Sequence, residues 1–231
     1  MKKNIITTLL LLFALGANAQ YNISYSVGYG SYKMNDMKDL LEYALQSMHS
    51  SMPKGLAIVD NFPPYITHTI DASIKRNRNE FGLSGSFLTT GGKIAYSDYS
   101  GKYIEKLTFT GYRIGTLYRV YTDESKLGKC TLSFFGEVSP AIMFTHLGYK
   151  ATLDIYEQNI HQEGNDNIST NAAGFSIQPM FGGRLDVTRN ISFSASLGYD
   201  FELGSKLSTT DNRYRADWSG FRLNGGVIYS F

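Results

Sequence analysis

The chain has 231 residues, with 22 Lys+Arg against 20 Asp+Glu, a net charge of +2, and one cysteine, Cys130. So even a balance excludes the clustered basic face that nucleic-acid binding needs, and a lone cysteine excludes an intrachain disulfide or a thiolate zinc cluster. The length suits one β-domain, and Tyr (17) and Phe (14) are unusually plentiful for it.

At the amino end, Met1-Lys2-Lys3 is a basic segment, Ile5 to Gly16 an apolar one, and Ala17-Asn18-Ala19 supplies small residues for cleavage before Gln20. This is the pattern of a secretory signal peptide over 1–19. Its apolar run is shorter than the about 20 residues a spanning helix needs. No Cys stands at the cleavage point, so no lipoprotein anchor is expected. Cleavage removes two lysines and no acid, which leaves residues 20–231 at zero net charge. No later apolar stretch reaches helix-spanning length, so any membrane crossing must be made by strands.

Period-two alternation begins at once. Ile23, Tyr25, Val27 and Tyr29 alternate with Asn22, Ser24, Ser26, Gly28 and Gly30, and a period of two places the sets on opposite faces of a strand. Asn35 to Met52 changes to helical spacing. Met37, Leu41, Ala44, Leu45, Met48 and Met52 share one face, while Lys38, Asp39, Glu42, Gln46 and His49 occupy the other. Asn35 or Asp36 can cap the start, and Pro53-Lys54-Gly55 ends it. Its Met-rich face is expected to cover a barrel mouth, with a lid, a partner-binding helix or a helix lying in the outer-leaflet interface as the alternatives. Phe62-Pro63-Pro64-Tyr65 is a stiff lead into the next strand, since proline cannot donate to a ladder.

Strand alternation resumes at Ile66, His68, Ile70, Ala72 and Ile74 against Thr67, Thr69, Asp71 and Ser73, then at Phe81, Leu83 and Phe87 against Gly82, Ser84 and Ser86. A fourth strand, about Thr108 to Tyr121, opposes Tyr112, Ile114 and Tyr118 to Arg113, Gly115 and Arg119. The fifth sets Leu132, Phe134, Val138, Pro140, Ile142 and Phe144 against Thr131, Ser133, Glu137 and Ser139. In the sixth, Phe175, Ile177, Pro179, Phe181 and Leu185 oppose Ser176, Gln178, Gly182 and Arg184. The seventh sets Ile191, Phe193, Ala195, Leu197, Tyr199 and Phe201 against Ser192, Ser194, Ser196, Gly198, Asp200 and Glu202. The eighth carries Phe221, Leu223, Gly225, Val227, Tyr229 and Phe231 on one face. That gives about eight strands of roughly 9 to 14 residues, the length a tilted strand needs to cross a bilayer.

The connections alternate in length. Arg76–Glu80, Thr122–Lys129 and Thr188–Asn190 are short; 33–64, 89–103, 145–172 and 203–217 are long. Short turns at one rim and long loops at the other are the outer-membrane pattern, with the short turns periplasmic. The competing fold is a soluble up-and-down carrier barrel, which would hide its aromatics inside. Here the small Ser/Gly row suits a narrow lumen and the bulky aromatic row suits lipid, with Tyr near strand ends as interfacial girdles. The expected fold is therefore an all-β, eight-stranded antiparallel up-and-down transmembrane β-barrel with one amphipathic helix in the first extracellular loop.

The inward row predicts a lumen charge network of Arg113, Arg119, Glu137, Arg184, Asp200, Glu202 and Arg222, paired because buried charges must be. Eight strands enclose little more than side chains, so a plug is expected rather than a selectivity lining. Thr89 to Gly101 is Gly-rich with a Lys but holds neither phosphate-loop pattern, and reads as turn chemistry, with sugar or protein binding by its exposed Tyr, Asp and Ser residues as the alternative. His49, His68, His146 and His161 form no metal-binding pattern, and no cofactor or metal is expected. The one combination an outer-rim, lipid A-modifying enzyme could use is His68 and His146 with Ser97 or Asp98. The spacing does not single them out, and no enzyme activity is expected. Cys130 beside a short turn reads as a small apolar filler.

These residues together resemble the eight-stranded outer-membrane barrels of Bacteroidota, the OmpA-like and PorT-like group. The likeness rests on Ala17-Asn18-Ala19-Gln20, the alternating strands across 21–231, the terminal Tyr229-Ser230-Phe231, and the segments Asp60–Tyr65 and Thr90–Lys93 with Asp98–Gly101. It implies that Tyr229 and Phe231 form the assembly signal read by the outer-membrane barrel assembly machinery. It also implies outer-membrane lipid and lipopolysaccharide as surroundings, and, for the PorT-like group, a place in secretion machinery. With no peptidoglycan-binding domain after the last strand, a full envelope tether is not expected. The activity expected is structural or binding, through the extracellular loops and an extracellular or periplasmic protein partner, with a small pore as a further alternative.

Overall fold

The computed structural model describes residues 19–48, 55–164, 170–207 and 214–231. Residues 1–18, most of the expected signal peptide, lie outside the described residues, as do His49, Met52 and the Pro53–Lys54 helix stop. In chain order the elements are β1 (Gln20–Gly30), α1 (Asn35–Met48), β2 (Ala57–Asn61), β3 (Tyr65–Arg76), β4 (Asn79–Ser97), β5 (Gly101–Tyr121), β6 (Ser125–Leu127), β7 (Cys130–Ile155), β8 (Ile160–Gly164), β9 (Thr170–Asp186), β10 (Ile191–Leu203) and β11 (Gly220–Ser230). Strands β1, β3, β4, β5, β7, β9, β10 and β11 each pair antiparallel with the next, and β11 pairs back onto β1. The result is the eight-stranded up-and-down barrel the alternation predicts, with the amphipathic helix in its first long connection.

The register climbs around the ring. Starting at Gln20, successive partners are Lys75, Glu80, Arg119, Glu137, Met180, Gly198 and Arg222. Arg222 then pairs with Gly30, at the opposite end of the strand on which the path began. A stagger of this kind tilts the strands and sets the barrel's girth.

The bulky row points outward. Ile23, Tyr25, Val27 and Tyr29 of β1 are exposed, whereas Asn22 and Ser24 are buried inside. The same holds for Phe81 and Leu83 on β4, Ile142 and Phe144 on β7, Phe193 and Leu197 on β10, and Phe221 and Leu223 on β11. Aromatic pairs gather near the short-turn rim, with Phe81–Tyr118 centroids 4.5 Å apart, Phe134–Phe181 6.1 Å and Tyr229–Phe231 4.8 Å. A second set lies toward the other rim, including Phe87–Tyr112 at 5.5 Å and Tyr199–Phe221 at 5.1 Å. A ring of exposed apolar surface this extensive has no place on a water-soluble protein; a transmembrane barrel surrounds itself with such a band.

Two of the predicted long loops are strand. The segment 89–103 continues β4 and β5 to a tight turn between Ser97 and Gly101. Much of 145–172 likewise continues β7 to Ile155 and returns as β8, paired along it. The alternation does not stop at residue 88; it changes phase. Below that level the inner row of β4 is Ser84 and Ser86, with Phe81 and Phe87 outside. Above it Leu88 and Ile94 are buried inside, and the outward positions become Thr89, Gly91 and Lys93. On β5, Phe109 turns in while Lys106 faces out; on β7, Leu147 turns in while His146 and Lys150 face out. Each strand thus leaves apolar surroundings for water within its own length.

The inward apolar residues of this upper section meet α1 and the long connections in one core. It contains Met34, Met37, Leu41, Phe62, Leu88, Ile94, Phe109, Met143, Leu207 and Trp218. Helix α1 buries Met37 and Leu41 in it, with Leu40, Ala44, Leu45 and Met48 packed at the margin. Its start is organised otherwise than predicted. Neither Asn35 nor Asp36 serves as the cap; Lys38 N donates to Met34 O at 2.9 Å, and the Asp36 carboxylate accepts the Arg215 amide at 3.0 Å. Met34 (φ 43°) and Phe62 (φ 51°) hold left-handed backbone that such residues rarely adopt. Both are fully packed, and the surrounding core is what sustains the strain.

Two glycines make room for this plug. A Cβ at Gly92 would lie 3.0 Å from Leu41 and 3.1 Å from Phe62, and one at Gly111 would lie 3.0 Å from the Trp218 ring. The indole lies across that gap, edge-on to Tyr32 at 5.0 Å, and its Nε1–H donates to Thr145 Oγ1 at 2.8 Å. Trp218 is the chain's sole tryptophan, so its emission reports on the plug alone. The folded barrel is expected to show blue-shifted fluorescence resistant to iodide quenching. Thr145→Val leaves the indole donor buried and unpaired, and should lower unfolding free energy by about 1–3 kcal/mol in urea titrations followed by that emission.

Candidate functional site

Below the apolar plug the lumen is polar. Arg119 stands among three carboxylates: Nη2 lies 2.7 Å from Asp71 Oδ2, Nε 2.5 Å from Glu137 Oε2, and Nη1 3.6 Å from Glu80 Oε1. The arginine side chain is 11% exposed and the three acids 5, 8 and 0%, so water does little of the compensation here. Glu80 also accepts from Asn22 Nδ2 at 3.2 Å, from the Tyr121 hydroxyl at 2.5 Å, and from Ser73 Oγ. Arg119 lies over the Phe135 ring at 5.4 Å, and Lys75 over the Tyr121 ring at 4.5 Å.

Higher in the lumen, Asp200 lies between two arginines, 3.6 Å from Arg113 Nε and 3.5 Å from Arg222 Nη2. Arg113 donates from Nε to Ser176 Oγ at 2.9 Å and from Nη1 to Ser139 Oγ at 3.0 Å. Arg222 donates to the carbonyls of Ser31 and Trp218, both at 2.6 Å, so it joins the charge cluster to the plug. Glu202 belongs to the plug's edge, accepting the Trp218 amide at 2.5 Å. Arg184 sits apart near the short-turn rim. It donates to Asp186 at 2.7 Å, to Ser192 Oγ at 3.1 Å and to Ser230 Oγ at 3.2 Å. Ser230 donates in turn to Asn22 Oδ1 at 2.7 Å across the seam between the first and last strands.

The seven predicted lumen charges all face inward, but they do not form one network: Arg119 pairs with Glu137, Arg113 and Arg222 flank Asp200, and Arg184 and Glu202 stand apart, each on other partners. Sequence reasoning missed Asp71, Glu80, Asp186 and Lys75. Asp71 was already in the polar row, and Glu80 stood in what reads as a turn although β4 begins at Asn79. Between the groups remains a cavity of about 30 Å³ lined by Ser26, Thr69, Ser86, Ser194 and Ser196 among others, room for about one water.

The predicted rim combination is not brought together. His68 faces outward on β3, its Nδ1 2.8 Å from the Tyr25 hydroxyl. His146 faces outward on β7, 3.0 Å from Asn171 Oδ1, with β4 and β5 between the two. Asp98 lies eleven residues beyond Phe87, the β4 partner of His68, or roughly 35 Å along an extended strand. Its carboxylate organises the hairpin tip, accepting from Tyr96 Oη at 2.7 Å, Ser100 N at 2.8 Å, Ser100 Oγ at 2.7 Å and Gly101 N at 3.0 Å. These donors, the Tyr96 hydroxyl first, hold its pKa down at about 2. On the neighbouring hairpin His161 contacts Asp154 and Glu163, and the Asp154 carboxylate first raises its pKa. Cys130 is a half-buried free thiol at the start of β7. Tyr229 and Phe231 face outward at the short-turn rim, where Phe231 N donates to Tyr21 O at 2.9 Å.

No protein-family model matches the chain, and no curated protein matches it in sequence. Among solved structures it is similar to Ail, the attachment invasion locus protein of Yersinia pestis, solved with the heparin analogue sucrose octasulfate, at 13% identity and TM-score 0.37 over 92% of this chain and 97% of that one. Neisserial surface protein A gives 12% identity and TM-score 0.45 over 93% and 98%, and LpxR from Salmonella typhimurium 11% and 0.27 over 91% and 100%. At such identities and scores nothing about activity transfers to this chain.

Two outcomes follow from the charge geometry. Arg119→Leu strands three buried carboxylates and should cost about 3–5 kcal/mol, far more than Glu137→Gln, read as the temperature at which the folded band is lost on unboiled gels. For Asp98, the folded pKa lies below the ordinary value of 3.8, so its contribution is complete above about pH 4 and is lost as pH falls through 2. Amide protection at the 97–101 tip, with exchange corrected for its intrinsic pH dependence, should fall over that window in the parent and show no such transition in Asp98→Asn.

Proposed function

We propose that the chain is an integral outer-membrane protein that works as a structural or binding element through its extracellular surface, neither conducting nor catalysing. The observation that carries this reading is the pairing of a continuous outward apolar belt with a lumen blocked twice, by the apolar plug above and the arginine–carboxylate clusters below. The belt supports a bilayer as the solvent, and a closed antiparallel barrel is the strand architecture that leaves no edge in lipid. The short turns then face the periplasm, and β2, α1, β8 and the extended hairpins face outward. Tyr229 and Phe231 serve as the signal for the barrel assembly machinery.

The binding reading is supported by how the outer end is built. Among the described residues it contains paired strands and a docked helix, which give a contacting residue on them a fixed position. The mature protein should fractionate with outer membranes, and its unboiled form should migrate distinctly faster than the boiled one. In planar bilayers it should give no stable single-channel steps. A soluble periplasmic form without a mobility shift overturns the membrane reading, and steady ohmic steps overturn the sealed lumen.

A further inference from the structure

Three lysines stand in one line on the outward face of the upper section. Lys93 of β4 is the direct partner of Lys106 of β5, and Lys106 of Lys150 of β7. Like charges directly opposed across a sheet are destabilising, so barrel stability does not account for the row. The flanks are acidic: Asp60 of β2 is the partner of Lys93, and Glu163 receives Lys150 Nζ at 3.0 Å. Lys93 and Lys106 make no ion pair with any described residue.

The row's height is fixed by the aromatic girdle. Phe87, Tyr112 and Phe144 are likewise mutual partners on the same three strands, each six residues below its lysine. On tilted strands that is roughly 15 Å. Between the two rows the outward residues are Thr89, Gly91, Thr108, Thr110, His146 and Gly148, short or polar, so the wall above the girdle is neither greasy nor bulky. A groove of about 250 Å³ opens there. Lys93 and Lys106 line it with Tyr65, Thr89, Thr108 and the backbone of Gly91, and Asp60 lies at one side.

We propose that this groove and lysine row bind the phosphate groups of an anionic glycolipid in the outer leaflet. The proposal rests on the outer-membrane reading above. Acyl chains lying along the aromatic belt leave a phosphorylated sugar headgroup level with the groove, where two ammonium groups meet the phosphate and the threonine and tyrosine hydroxyls meet sugar oxygens. Lysine suits this task, since each acts as a flexible point charge and an ammonium can reach down toward the headgroup. Bound phosphate would relieve the repulsion within the row, and the acids at its ends confine the anion to the centre.

The test uses the full mature barrel folded in a zwitterionic detergent, with native mass spectrometry reading bound lipid. The probes are diphosphoryl lipid A, its monophosphoryl form and inorganic phosphate. The parent should bind the diphosphoryl form most tightly, and the Lys93→Gln/Lys106→Gln double variant about thirtyfold more weakly. Lys93→Arg/Lys106→Arg should retain binding, which guards against a loss caused by local misfolding. Equal affinity of parent and Gln variant for diphosphoryl lipid A overturns the proposal. Tight binding of inorganic phosphate alone overturns the lipid source. A heat-modifiable gel shift in each sample separates these outcomes from failure of the membrane reading, in which no folded barrel would form.

Discussion

The barrel depends on one row of cross-strand neighbours whose charges alternate in sign: Lys75, Glu80, Arg119 and Glu137, on β3, β4, β5 and β7 in turn. A slip of one residue on any of these strands would move its charge from the lumen into lipid and its aromatics inward. It would also place like charges opposite or leave a carboxylate unpaired in a lumen nearly closed to water. The outward apolar rows specify which face is in; this row specifies which rung meets which. Asp71, four residues from Lys75 along β3, adds a third acid to Arg119, and Glu80 passes the constraint through Asn22 to Ser230 and Arg184. The strands that meet last in chain order, β1 and β11, are therefore held by the same polar system as the strands that meet first.

The lumen is filled in two different ways because its surroundings differ along the axis. Where lipid lies outside, the wall's bulky residues are committed outward, and the interior must be closed by Ser and Gly plus paired charges. Above the girdle, water lies outside, so the strands can turn Leu88, Ile94, Phe109 and Leu147 inward and build an ordinary apolar core against α1 and Trp218. Arg222 joins the two regimes, with its guanidinium 3.5 Å from Asp200 below and donating to the Trp218 carbonyl above. Opening a continuous path would require displacing both the plug and the clusters beneath it.

The lipid-facing part of the fold was legible because lipid imposes one rule on every strand: bulky out, small or polar in. Ile23 to Tyr29 obeys it throughout and Ile191 to Phe201 at every position but the small outward Ala195, and their faces are as the alternation predicts. The same rule misled the reading at Thr89–Tyr103 and Thr145–Ile155. There the strands continue but the rows exchange character, and a pattern search tuned to one phase sees the exchange as the end of the strand. The lumen site was half legible. Parity alone gave the inward residues, but which arginine meets which acid is set by the barrel's stagger, which no single strand encodes. Glu80 was lost for a simpler reason: a two-residue turn at Asn77–Arg78 leaves it inside β4, whereas the polar run Arg76–Glu80 reads as loop.

The phase exchange also explains where function can reside. In a barrel whose strands stop at the membrane, the exposed end is loop, and each contact residue brings its own conformational entropy to binding. Here β4, β5 and β7 carry their ladders well above the girdle, and the plug beneath stiffens them from inside. The lysine row is a product of that continuation: three side chains on different strands align only because their register, fixed by the ionic row far below, is kept through the boundary. A change in the lumen that shifted the β4–β5–β7 register would break the alignment of the outer row without touching a single lysine, so the buried charges bear on surface recognition through register alone.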